Sequence, residues 1–146
     1  MSNPSVIDVL RRSTAGPDAP PPPEQGVEPE LAAQLDGVHF PNLALNGGFQ
    51  WKAVGERSDR LDGRMTWTVF YEHEGDLVSY TIVGGSPLEV PADAEPRRKD
   101  GLDMALLRDE HGHDVAMFER DGRTCLISGY VEQRSTLVRL AAWTRG

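Results

Sequence analysis

From about residue 38 the chain breaks into short apolar runs with a turn signal between each, which is the texture of strands rather than helices. FQWKAVGE (49–56) is followed by SDRLDGR, whose Asp62-Gly63 pair predicts a tight hairpin. RMTWTVFYE (64–72) then alternates, with Met65, Trp67, Val69 and Tyr71 on one face and Thr66, Thr68 and Phe70 on the other. EHEGD (72–76) turns the chain into DLVSYTIVG (76–84), rich in β-branched and aromatic residues. These three runs read as an antiparallel meander. SPLEVPADAEPRRKDG (86–101) reads as a polar, proline-punctuated connection, after which MALLRD (104–109), DVAMFER (114–120) and RTCLISGYV (123–131) read as three more strands. VEQRSTLVRLAAW (131–143) fits a helix capped near Ser135, with Leu137, Leu140, Ala141 and Trp143 able to cover a sheet. The expectation is an α+β fold: about six mainly antiparallel strands with a C-terminal helix on one face.

The first 37 residues differ in texture. NPSVIDVLRR (3–12) has a cap at Asn3, proline at the first helical position and apolar Val6, Ile7, Val9 and Leu10, so it predicts a short helix. A helix this short needs a surface to hold it. TAGPDAPPPPEQGVEPE (14–30) is too rich in proline and carboxylates to bury much apolar surface, and predicts a disordered, extended linker. The expected division is therefore a helix-like segment and proline-rich tether at 1–37, and a globular domain at 38–146. Limited proteolysis would be expected to cut first within 14–30.

Charge narrows the partners. The 15 Lys+Arg against 23 Asp+Glu give a formal charge of -8, and the basic residues are scattered. Phosphate backbones demand a basic stripe, so nucleic acid is not an expected partner. The single cysteine, Cys125, excludes an internal disulfide and a multi-thiolate zinc site within this chain. Nothing in the sequence approaches the roughly 20 apolar residues of a membrane span.

The chemistry-bearing candidates each have a plainer alternative. DEHGHD (109–114) is either a ligand cluster or the polar tip of a hairpin. EHEGD carries a third turn histidine, so His73, His111 and His113 would form a mixed nitrogen and oxygen metal site if the two turns met. Cys125 sits in a strand-like run where a free thiol usually packs as a small hydrophobe. Trp51, Trp67, Trp143, Tyr71, Tyr80 and Phe70 are either core or the wall of a ligand pocket. Glu72, Glu74 and Asp76 crowd a turn rather than a cleft, and VGGSP (83–87) lacks the lysine and helix start of a phosphate loop. No catalytic residue, cofactor-binding residue or metal ligand is assigned from the residues, and no cofactor is expected.

GFQWKAVGERSDRLDGRMTWTVFYEHEGDLVSYTIVGG, and later FERDGRTCLISGYVEQRSTLVRLAAW, resemble the extracytoplasmic domain of membrane-spanning bacterial anti-sigma factors and related regulators. The likeness runs over residues 38–144. It implies a non-enzymatic sensory or regulatory domain on the outer side of a bacterial membrane, binding a protein partner or a small-molecule signal. It also implies a proline-rich tether and a parent membrane helix that is absent from this chain. The alternative expectations are a small metal-binding protein or enzyme using His73, His111 and His113, or an interaction module pairing through a sheet edge. A free-standing relative would instead be soluble in the cytoplasm.

Overall fold

The computed structural model describes residues 5–23, 30–44, 50–129 and 134–142. Helix α1 (Val6–Ser13) is followed by a small hairpin of β1 (Glu30–Leu35) and β2 (Val38–Pro41). Seven further strands form one antiparallel sheet: β3 (Lys52–Leu61), β4 (Arg64–His73), β5 (Asp76–Val83), β6 (Glu95–Lys99), β7 (Leu102–Arg108), β8 (Asp114–Arg120) and β9 (Arg123–Gly129). Helix α2 (Arg134–Ala141) closes the described chain. The sheet order is β3-β4-β5-β9-β8-β7-β6. The expected α+β class and the antiparallel meander β3–β4–β5 are present. No helix among the described residues is long and apolar enough to cross a membrane.

Tight turns fix the hairpins. Asp36-Gly37, Asp62-Gly63, Glu74-Gly75, Asp100-Gly101 and Asp121-Gly122 all have both residues at positive φ. That backbone matches the right-handed twist of the strands it joins, and glycine at the second position accepts it without a Cβ penalty.

Alternation then sorts the side chains onto two faces. One face carries Val69, Tyr71, Tyr80, Ile82, Leu106, Phe118, Cys125 and Ile127, and it is covered by α2 and by Leu31, Val38 and Phe40 of the β1–β2 hairpin. Leu137 and Leu140 of α2 are both 1% exposed, as the amphipathic pattern predicts. Trp143 lies outside the described residues. The second face carries Val83, Ala105, Leu107, Val115, Met117 and Leu126, and Val6, Val9 and Leu10 of α1 pack on it. The domain surface is thus what holds the short N-terminal helix.

Three differences from expectation have local causes. Nine strands are described rather than six, because the sequence reading places β1 in the tether and β6 in a connection and gives no element to the start of the domain, where β2 lies. β6 is a sheet edge whose five residues, EPRRK, are all exposed, so no alternation marks it. The boundary drawn at residue 38 falls inside the β1–β2 hairpin, and residues 16–19 are not a free linker. Asp18 and Ala19 donate their N–H groups to the Glu56 carbonyl at 3.0 and 3.1 Å, and Glu56 N–H returns a bond to Ala19. Arg57, held by Asp59, donates to the Gly16 carbonyl at 2.9 Å. Gly55 makes the approach possible, since a Cβ there would stand 2.5 Å from Pro17 Cβ. The cap of α1 also shifts: Ser5 accepts from Asp8 N–H, and Asn3 lies outside the described residues, whereas α2 starts at Arg134, beside the expected Ser135.

Candidate binding cleft

Register brings four side chains into one row on the α1 face. Phe70 of β4 pairs with Ser79 of β5, Ser79 with Ser128 of β9, and Ser128 with Val115 of β8. Two small hydroxyl residues therefore lie between larger neighbours and leave a trough. Gly129 extends it, because that position must lack a side chain for β9 to approach β5. Helix α1 roofs the trough with Ile7, Leu10, Arg11 and Thr14, and the turn 109–113 closes one side. The result is a cleft of about 360 Å³, at the small end of the range ordinary ligand sites occupy.

The DEHGHD turn (109–114) is built into this wall. Asp109, with a side chain only 5% exposed, accepts from the backbone N–H groups of His111 and His113, both at 2.9 Å, and its other oxygen lies 3.1 Å from His113 Nδ1. The main chain closes the turn as Asp109 N–H donates to the His113 carbonyl. Glu110 faces the helix and accepts two bonds from Arg11, at 3.1 and 3.2 Å, while Arg11 also donates to Asp8. The Arg11 hydrogen bond, and then its charge, hold the Glu110 carboxyl below its ordinary range. That contribution is therefore present above the unfolded carboxyl value, about 4.3, and is lost as the pH falls through the lower folded one. Asp114 pairs with Arg108 at 3.4 Å.

The three histidines are not brought together. His111 and His113 are neighbours, with ring centroids 6.1 Å apart. His73 accompanies Trp51, at 5.4 Å, and lies 3.2 Å from the Gln50 carbonyl. Both turns stand at the same end of the sheet, but the order β4-β5-β9-β8-β7 separates them by three strand spacings, roughly 14 Å. No group of three or more His, Cys, Asp or Glu poised for a metal occurs among the described residues. A hundredfold excess of zinc over a true site's dissociation constant would add about 2.7 kcal/mol. We expect no such rise in melting temperature. A zinc-dependent rise removed by the His111→Ala, His113→Ala double change would restore the metal alternative.

Cys125 is fully buried beside Tyr80, and burial pushes its thiol up to about 12, far from the thiolate a nucleophile needs. The aromatic cluster divides between the faces. Trp51, Trp67, Tyr71 and Tyr80 pack on the α2 side, whereas Phe70 alone lines the cleft. Ser79 and Ser128 were missed as site residues. Their signal is a small hydroxyl at an inward position of a buried strand, in LVSYTIV and CLISG, and only the β5–β9 register joins the two.

Comparison with known proteins found no matching family model, no matching curated protein and no matching solved structure.

Proposed function

We propose that this chain is a non-enzymatic sensory or regulatory domain of an anti-sigma-factor-like membrane protein, acting on the outer side of the membrane and reading a signal or partner at the cleft. The supporting observation is that α1 is the roof of the cleft and runs directly into the proline segment seated on β3. Whatever fills the cleft touches the helix that leads into the tether. A ligand favouring one position of that helix shifts its docking by the difference in affinity between the two positions. The engagement of Glu110 by Arg11 and of Asp109 by the turn backbone favours binding over acid–base chemistry.

The coupling is testable without knowing the signal. Ser128→Leu fills the trough permanently, and amide exchange within α1 should then accelerate by about tenfold or more, while β8 and β9 keep their protection. Unchanged exchange in α1 would separate the cleft from the helix and remove the basis of the reading. An apolar span of about 20 residues upstream in the parent reading frame is the expected companion.

A further inference from the structure

We propose that the cleft takes an uncharged amphipathic small molecule that has an apolar body and a hydrogen-bond donor. The inference rests on the binding role given above and adds the ligand class. The apolar surface comes from Ile7, Leu10, Phe70 and Leu77, drawn from both the helix and the sheet. The polar floor is Ser79 and Ser128, 4% and 2% exposed. Ser79 donates its hydroxyl hydrogen to the Ser128 carbonyl at 3.3 Å, so its oxygen meets a ligand as an acceptor. The complement is a neutral N–H or O–H.

Charge at the mouth argues in the same direction. Arg11 spends three N–H groups on Glu110 and Asp8, and Asp109 accepts from two backbone amides while facing His113. Arg11 keeps two N–H groups, but its charge is already met by two carboxylates, so an anion would enter beside net negative charge. A cation would compete with Arg11 for Glu110 and with the turn amides for Asp109, and burying a charge without full compensation is costly. A neutral ligand leaves every pair in place.

N-phenyl-1-naphthylamine and its sulfonated relative 1-anilinonaphthalene-8-sulfonate share an aromatic skeleton and an N–H, and differ by one negative charge. In fluorescence titration of the full chain, the neutral dye should bind saturably at one site. The sulfonate should bind about tenfold more weakly or worse. Ser79→Ala should weaken the neutral dye by removing its acceptor, and Thr14→Trp, at the helix end away from the core, should weaken it by about tenfold by occupying the mouth. Equal or tighter binding of the sulfonate, no saturable binding, or binding indifferent to Thr14→Trp would overturn the assignment. The two ideas fail separately. If the neutral dye binds and leaves α1 exchange unchanged, the regulatory reading falls and the ligand class stands. If it does not bind while Ser128→Leu loosens α1, the reverse holds.

Discussion

Alanine in place of Gly129 should lower stability by about 3 kcal/mol, near the upper end of what overpacking costs. In urea this appears as a lower midpoint at an unchanged slope. A Cβ at this position would overlap the Leu77 carbonyl oxygen and come within 2.9 Å of Val78 Cα. Both are backbone atoms of β5, so no rotamer change relieves the clash and the two strands must part. Gly55 is the instructive contrast: its added Cβ meets Pro17, which belongs to the seated proline segment and can lift away while the sheet stays closed. A Gly129→Ala protein within about 0.5 kcal/mol of the parent would contradict the close approach of β5 and β9.

Arg120→Met should cost about 2 kcal/mol, and it should do so by releasing the β1–β2 hairpin. The Arg120 guanidinium donates to the His39 carbonyl at 2.9 Å and to the Tyr80 hydroxyl at 2.8 Å, and reaches Glu30 at 3.2 Å. Removing one member of a fully buried ion pair costs about 3–5 kcal/mol. Here both side chains keep some water, 26% and 20% exposed, which brings the figure down. Arg120→Lys should recover little, because a single ammonium cannot serve acceptors that a planar fork reaches at once. Thiol labelling provides the readout. Cys125 lies at 0% exposure on the face the hairpin covers, so it reacts only on opening, and Arg120→Met should speed labelling more than global destabilisation alone accounts for. Labelling that merely tracks the urea stability would show that Arg120 does not govern the hairpin.

The central strands were legible because both physical signals were present in them. RMTWTVFYE alternates and is framed by Asp62-Gly63 and Glu74-Gly75, and the observed faces of β4 are those the alternation assigns. β6 was not legible, since an exposed edge strand has no buried face to impose a pattern, and its pairing with β7 is all that makes EPRRK a strand. The β1–β2 hairpin was overlooked because it follows the proline-rich stretch, although Asp36-Gly37 is the same turn signal that was used elsewhere. The cleft was legible only in part. DEHGHD drew attention to the correct wall, but for its histidines, whereas Asp109 organises the turn and Glu110 holds the helix. The floor required knowing that β5 neighbours β9, two segments far apart in the chain.

That neighbour relation also governs how the chain reaches its native state. β3, β4 and β5 form one run of adjacent hairpins, and β6 to β9 form another, each needing only short loops to close. Hairpins of this kind assemble in about 1–10 μs. Strand pairing joins the two halves along β5 and β9, from Val78–Gly129 to Val83–Thr124, and closing that seam encloses β6, β7 and β8 as a loop. The topology therefore predicts a late zipping of two ribbons along a single line. The trough of Ser79 and Ser128 lies on that line, so the candidate site does not exist in either ribbon alone and is among the last features of the protein to appear.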